Sequence, residues 1–309
     1  MIVVLAGGVG AARFLQGVVQ VVPQENVTVI ANTGDDREFY GLHVSPDVDI
    51  VLYTLAHLVD EKQGWGIQGD TYHTMKQLTA YGYEDWFALG DRDLATHIHR
   101  TNLLRQGKTL SEITEQMREK LGLSLRVIPM TNDQVATHVQ TPDGLIHFEE
   151  YFVKRRCNDE VQGITFVGAE TASPAPGVLE AIRDAEAVLL APSNPIVSIG
   201  SILSIPGTRE AVRQTKGKVV AVSPIVGGAT IKGPADKMMR GLGMEVSAAG
   251  VAQSYQDFLD TMVIDTQDEG LAPAIEQAGI QCIVTNTIMR DLDAKTELAR
   301  TVLRAAGVL

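Results

Sequence analysis

Residues 1–36 read MIVVLAGGVGAARFLQGVVQVVPQENVTVIANTGDD. The run Ile2 to Ala6 is apolar without alternation and stops at Gly7, Gly8 and Gly10, as a strand buried on both faces of a parallel sheet does. Leu15, Val18, Val19 and Val22 then recur at helical spacing. A second apolar run, Val27 to Ala31, ends in Asn32-Thr33-Gly34-Asp35-Asp36. Strand, glycine turn, helix, strand opens a βαβ unit. Ligands in open α/β sheets bind beyond the carboxyl ends of the strands, so the glycine turn and the NTGDD loop are expected to face one crevice.

The same grammar returns after Pro176, where GVLEAIRDA, AVLLAP, GKVVAVSP, YQDFLDTM, MVIDT, LAPAIEQAG, IQCIVTN and DAKTELARTVLRAAG alternate helix and strand. SNPIVSIGSIL reads as a loop opening a helix. Between the two halves, Ile50 to Leu123 is mostly helical, and Thr109 or Ser111 stands where a cap for TLSEITEQMREKLG belongs. LRVIPM, ATHVQT, LIHFEEYFVK and GITFVG, with a Pro142-Asp143-Gly144 turn, suggest a small antiparallel element. The expected architecture is α/β: a doubly wound, mostly parallel, Rossmann-like sheet. Residues 1–309 would form a single domain, with a helical and antiparallel subdomain inserted at about 60–165.

Composition narrows the function. The chain has 309 residues, 45% hydrophobic and 21% charged, so it carries enough apolar surface for a core. A net charge of −12 makes it a poor general binder of nucleic acid, though a local basic pocket is compatible with it. Cys157 and Cys282 are too few and too far apart for a disulfide framework or zinc site and are expected to be reduced and buried. No run reaches the roughly 18 apolar residues of a membrane span, and MIVVLAGG lacks a basic leader, so a cytoplasmic location is expected.

Five loops offer chemistry. The Gly7-Gly8-Val9-Gly10 turn can present backbone N–H groups to an anion, although it matches neither the dinucleotide fingerprint nor a Walker loop. Asp35, Asp36, Asp47 and Asp49 crowd a short stretch in which only Arg37 interleaves. That pattern suits a hard cation such as Mg²⁺; helix capping by Asp47 or Asp49 is the plainer alternative. Trp65, flanked by glycines, and Arg92 of Gly90-Asp91-Arg92-Asp93 suit a flat heterocycle, a core ring or an internal ion pair. Ser193, Asn194, Ser198 and Gly200 follow a strand and offer a second phosphate cradle. Lys232, beside Gly233 and Lys237, is a cation after another strand. His97 and His99 lack metal-ligand spacing. Together the loops suit a nucleotide-activated substrate held with a metal, where positioning and charge neutralisation carry the catalysis.

These motifs, LAGGVGAARFLQG, NTGDD, SPDVD with IVLYTL, GWG, LGDRDLATHIHRT, APSNPIVSIGSIL and KGPADKMM, resemble in order those of the 2-phospho-L-lactate transferase family, which makes the deazaflavin coenzyme F(420). The resemblance implies a Mg²⁺-dependent transfer onto the deazaflavin Fo from a guanosine diphosphate conjugate of 2-phospholactate, or of phosphoenolpyruvate in relatives. GMP would leave, and the product would be F(420)-0 or its dehydro form. It further implies that Asp49 and Arg92 contact Fo, with Thr33, Gly34 and Trp65 lining its pocket. Asp49 and Asp36 become the catalytic candidates and Asp35 and Asp47 the metal ligands. Gly7, Gly8, Gly10, Ser193, Asn194, Ser198 and Gly200 would cradle the diphosphate, with Lys232 at the guanine or a phosphate. Small-molecule substrates are the implied partners, with no nucleic acid or membrane and with a homodimer left open.

One departure is the alanine, Ala11, directly after the turn, where relatives also carry glycine or a small polar residue. A non-catalytic nucleotide-sugar-binding regulatory protein of the same fold is the main alternative. An NAD-dependent oxidoreductase is the other, and it lacks its acidic residue because Asn32 occupies the end of the second strand.

Overall fold

The computed structural model describes residues 1–309. In chain order the first strands are β1 (Ile2–Ala6), β2 (Val27–Ala31), β3 (Arg37–Phe39), β4 (Leu42–Val44) and β5 (Arg126–Pro129). They are followed by β6 (Ala136–Thr141), β7 (Gly144–His147), β8 (Gly163–Val167), β9 (Ala187–Leu190) and β10 (Lys218–Val222). The last are β11 (Ile225–Val226), β12 (Ala229–Thr230), β13 (Thr261–Asp265) and β14 (Gln281–Thr285). Seven of them form one sheet in the order β14-β13-β10-β9-β1-β2-β5. Every pairing in that sheet is parallel. The α/β expectation holds, and β6–β7–β8 supplies the small antiparallel sheet.

Both faces of the large sheet are covered. Val3 and Leu5 of β1 belong to one core of 36 buried residues, while Ile2, Val4 and Ala6 belong to another of 30. A two-sided core of this balance explains why β1 and β2 lack polar alternation, since neither face meets water. From β1 the chain moves outward to β2 and β5, then returns to β9 on the other side of β1. The strand order therefore reverses between β1 and β9, and the crevice above that reversal is where such sheets bind ligands.

Three local readings are corrected. LRVIPM does not join the antiparallel element but supplies β5, the edge of the parallel sheet, where Val127 and Ile128 are buried. Its length of one short apolar run gave no clue to its partner. YQDFLDTM is not a helix; the helix is the preceding Ala248–Ser254, capped by the Ser247 hydroxyl accepting from the Gly250 N–H. In LIHFEEYFVK only the first part is strand, and Glu150–Lys154 winds into a π turn. Thr109, rather than Ser111, caps its helix, in a reciprocal box with Glu112. Both cysteines are free, Cys157 buried and Cys282 half-buried. No helix is long and apolar enough to cross a membrane.

The helices that frame the site are α1 (Gly8–Val21), α2 (Pro46–Leu55), α3 (His73–Ala80), α4 (Asp91–Arg105) and α5 (Leu110–Lys120). The C-terminal helix Leu292–Ala305 packs along α1. Gly17 permits this closeness, because a Cβ there would lie 2.5 Å from the Lys295 carbonyl carbon. Backbone cannot move aside as a side chain can. Gly17→Ala should therefore destabilise the protein by about 2–3 kcal/mol. Urea unfolding followed by circular dichroism checks this: a lowered midpoint at unchanged slope is expected, and an unchanged midpoint refutes the contact.

Candidate active site

At the carboxyl end of β2, Asn32 turns its side chain back into the protein and is fully buried. Its carbonyl accepts from the Gly34 N–H at 2.9 Å, forming the local turn that NTGDD encodes. Its amide then donates to two carboxylates, Asp47 Oδ2 at 2.9 Å and Asp35 Oδ2 at 3.2 Å. Asp47 sits in the first turn of α2 and also accepts the Gly8 N–H at 2.7 Å. The glycine turn, the NTGDD loop and the start of α2 thus meet at one carboxylate.

Glycine is required where these elements touch. A Cβ on Gly7 would stand 2.6 Å from Ser198 Cβ and 2.7 Å from Asp47 Oδ2. On Gly10 it would strike the Pro192 carbonyl oxygen, and on Gly34 it would lie 2.6 Å from Thr137 Oγ1. The loops after β1 and β9 are therefore in contact, and the Gly7 N–H donates to Ser193 Oγ at 3.2 Å. The antiparallel sheet is seated on the same loop, through the Thr137 N–H donating to the Gly34 carbonyl at 2.6 Å.

Asp36 opens the β3–β4 hairpin, which turns at Tyr40 and Gly41, both in the left-handed region. The hairpin returns His43 and Ser45 to Asp36. Ser45 Oγ donates to Asp36 Oδ1 at 2.8 Å, and His43 Nε2 lies 3.0 Å from Oδ2. Asp49, two residues along α2 from Asp47, is gripped by Arg100 of α4, whose Nη1 donates to Oδ2 at 3.0 Å while Nη2 meets Oδ1. Arg100 is fully buried and Asp49 is 4% exposed. His97 lies beside the pair, with Nε2 3.4 Å from Asp93 Oδ1; Asp93 in turn accepts from the Tyr53 hydroxyl at 2.7 Å.

The capping alternative for Asp47 and Asp49 is not realised, because no side chain caps α2 at Ser45 and both carboxylates bond elsewhere. Asp49 also carries weight in the core. Removing it would leave the Arg100 charge buried and unpaired, a loss of about 3–5 kcal/mol. In GDRD, Asp91 accepts from the His73 and Thr74 N–H groups at 2.9 Å each and so serves the start of α3. Asp70 returns the favour for α4 through the Arg92 and Asp93 N–H groups. Arg92 forms no ion pair; its exposed guanidinium donates to the Gln68 carbonyl at 2.9 Å.

The remaining expected residues divide between two regions. Thr33, Gly34, Asp35 and Asp36 lie on the rim loop, where Thr33 Oγ1 and Asp35 Oδ1 are buried without partners. Asn194 commits its side-chain oxygen to the Ile196 and Val197 N–H groups, starting the π turn Pro195–Gly200 that carries Ser198 and Gly200. Lys232 donates to the Gln63 carbonyl at 3.2 Å, next to Gly64 of GWG, and Trp65 is 41% exposed. Three residues were not singled out for the site from the sequence: Asn32 as the bridge, Arg100 as the partner of Asp49, and Glu149. The only signal for Arg100 was its place in DLATHIHR, one turn past His97 on a helix that also carries Asp93.

Glu149 follows β7 and is 5% exposed. Burial, then the nearby Asp47 charge, push its carboxyl up to about 8, and Arg37 opposes only in part. Burial also raises Asp47 to about 6, against the donors Asn32 and Gly8. Asp35 is held well above the usual range by burial and then by the charges of Asp47, Glu149 and Asp36. Asp36 is raised by burial, against the pull of His43 and Ser45. Four carboxyls facing one another thus resist ionising together.

A raised carboxyl stabilises the fold below its unfolded value and loses that contribution as pH climbs through its folded value. In metal-free buffer the stability should fall between pH 4.5 and about 8, and Glu149→Gln should remove a share on the order of 4 kcal/mol. Urea midpoints at pH 5 and pH 8.5 check this: the variant should gain on the native chain at the higher pH, and parallel profiles would refute it.

Comparison with known proteins identifies the family. Residues 2–303 match the family described as 2-phospho-L-lactate transferase CofD. A phosphoenolpyruvate transferase of Streptomyces griseus is 49% identical, covering 99% of this chain and 98% of that protein. A 2-phospho-L-lactate transferase of Methanosarcina mazei is 41% identical over 98% of this chain and 99% of its own length. In structure, a UPF0052-family protein of Bacillus halodurans superposes with a TM-score of 0.66 at 15% identity over 98% of each chain, a likeness of fold. With its whole length matched and the rim carboxylates in one cluster, the chain belongs to the CofD family of 2-phospho-L-lactate transferases.

Proposed function

We propose that the protein transfers a phosphoenolpyruvyl or 2-phospholactyl group from a guanosine diphosphate conjugate to the terminal ribityl hydroxyl of Fo. The hydroxyl oxygen forms a bond to the phosphorus bearing the three-carbon acid. The bond from that phosphorus to the bridging oxygen breaks, GMP departs with the electron pair, and the hydroxyl proton passes to the protein. The product is F(420)-0 or its dehydro form. The observation that carries this reading is the Asn32 bridge, which gathers Asp35 and Asp47 beside the glycine turn while leaving Asp35 Oδ1 buried and unpartnered.

That donor set fits Mg²⁺. No group of three or more His, Cys, Asp or Glu side chains forms a complete protein cage. Mg²⁺ characteristically takes one or two carboxylates and fills its remaining positions with water and substrate phosphate. Asp35 and Asp47 would hold it, and when bound it supplies the positive charge that lets an anionic diphosphate approach an acidic rim. The chain's own groups do the rest. Backbone N–H groups of the glycine turn and the Ser193–Gly200 segment receive the diphosphate, and Lys232 meets the guanine or a phosphate.

Asp36 and Asp49 take different parts. Both Asp49 oxygens face the Arg100 fork, which opposes uptake of a proton; Asp49 orients Fo together with Arg92, Thr33, Gly34 and Trp65. Asp36 is the better proton acceptor, because burial raises its affinity for a proton while His43 and Ser45 hold its oxygens in place.

Mixing the protein with Fo, Mg²⁺ and either guanosine conjugate and following GMP by chromatography tests the reading. GMP release is expected with at least one donor, abolished by EDTA and restored by Mg²⁺. Asp36→Asn should lower kcat by at least about 100-fold, the scale of a lost general base. Absence of GMP with both donors would overturn the proposal, and full turnover in EDTA would overturn its metal.

A further inference from the structure

A cleft of about 590 Å³ runs along the outer flank of α1, between that helix, the segment around His57–Gly64 and the start of the C-terminal helix. In a chain with a net charge of −12 its lining is the reverse of the average. Five cations, Arg13, Lys62, Lys232, Arg290 and Lys295, face two carboxylates, Glu61 and Asp291. Asp291 is already committed: it caps the C-terminal helix through the Ala294 N–H at 2.8 Å and pairs with Arg290 at 3.1 Å. Glu61 is left against four cations.

Three of those cations are held only by neutral oxygens. Arg13 donates to the Met289 carbonyl, Lys232 to the Gln63 carbonyl at 3.2 Å, and Lys295 to the Gln16 side-chain oxygen at 2.6 Å. Lys295 is 7% exposed. A buried ammonium whose only acceptor is an amide is expensive, and packing it near a second cation, Arg13, adds to the cost. The strain shows in Lys232 and Lys295, which burial first and the Arg13 charge second hold below the usual lysine range. Nothing in the packing of α1 demands cations here, since apolar side chains of the same size would fill the flank more cheaply. An anionic ligand removes the cost.

We propose that this cleft is a binding site for an oligophosphate chain, the chemistry shared by inorganic polyphosphate and the phosphates of a nucleoside triphosphate. Its size falls in the range of small-ligand pockets, and its three neutral-bonded cations carry more positive charge than a single carboxylate would balance. Its far end lies away from the rim carboxylates. At 1.5 Å per residue, Gln16 and the Lys295 ammonium it holds are about 12 Å down α1 from Gly8. Val9 and Lys232, at its near end, border the region that the transfer reading gives to the guanosine conjugate, whereas Arg13 and Lys295 have no part in that reading, so the site they form goes beyond the proposed transfer reaction.

Isothermal titration calorimetry of the full chain in EDTA, with tripolyphosphate in one arm and ATP in the other, tests this. Binding of at least one is expected. Tighter binding of ATP would identify a nucleotide as the occupant, equal affinity an inorganic chain, and either supports the site. Arg13→Gln should weaken the interaction about tenfold or more, the scale of one lost charge-assisted contact. Lys295→Met should do the same, with a thermal melt to confirm that it folds; if it does not fold, Arg13→Gln decides. Asp47→Asn should bind as the native chain does. No heat with either anion overturns the proposal, as does native affinity in Arg13→Gln. Loss in Asp47→Asn alone would put the anion at the rim and overturn it too. GMP release is measured separately: an active enzyme that binds neither anion loses only this inference, and an inactive one with Arg13-dependent binding loses only the transferase reading.

Discussion

One side-chain amide organises the rim of this protein. Asn32 donates both of its N–H bonds to carboxylates that would otherwise repel each other across a buried space. Two unit charges a few ångströms apart cost about 4 kcal/mol even at an effective dielectric of 20. A neutral amide offsets part of that and cannot neutralise it. A lysine in its place would quench the site by pairing with it; an apolar residue would force both carboxyls to take up protons. Asn32 keeps the pair assembled and still short of positive charge, which is the condition under which a divalent ion has something to do. Its own carbonyl is fixed by Gly34, so the amide cannot rotate away without losing the turn.

The acidic residues fall into two kinds, and their environments separate them. Asp91, Asp265 and Asp291 accept backbone N–H groups at the starts of helices or turns, and all three carboxyls are held below the ordinary range. These are structural acids, satisfied by donors. Asp35, Asp36, Asp47 and Glu149 are pushed the other way by burial and by one another. Opposed shifts of this kind mark off the groups that fold stability needs from those it merely tolerates. GDRD shows why a motif alone does not make the distinction: Asp91 and Asp93 sit two residues apart, one engaged by the N–H groups at the start of α3 and the other by Tyr53 and His97.

The parallel sheet was legible because β1 and β2 are buried on both faces, and that leaves an unbroken apolar run next to a glycine turn. The rim was legible for the same reason in reverse, since Asp35 and Asp36 in a loop, and Asp47 and Asp49 at a helix start, are charges that a core does not explain. What escaped were partnerships between distant residues. Arg126–Pro129 is too short to declare whether it pairs parallel or antiparallel, and only the register with Thr28 to Ala31 decides. Arg100 meets Asp49 across 51 positions of sequence, and Glu149 reaches the rim only because β6 is seated on Gly34. No local period encodes such contacts. Asn194 is the opposite case: its position was legible, but its side-chain oxygen is taken by the π turn it starts.

Charge along α1 is segregated in a way that net composition hides. The helix begins at the acidic rim, where Gly8 touches Asp47, and one to two turns later it enters the cationic flank at Arg13 and Gln16. Opposite charges about 12 Å apart along one helix pair only where long side chains are free to close the gap. Here they are kept apart by geometry. Lys295 is fixed by Gln16 inside the helix–helix contact that Gly17 permits, and Arg13 is fixed by the Met289 carbonyl. The rim carboxyls are fixed by Asn32 and cannot reach down. A sequence free to relieve both sets by pairing them has instead locked each to neutral partners. Each set is left open to a counter-charge from outside the chain, the cation proposed for the rim and the phosphate chain proposed for the flank. The same economy of neutral partners thus argues for two ligands of opposite charge on the two ends of one helix.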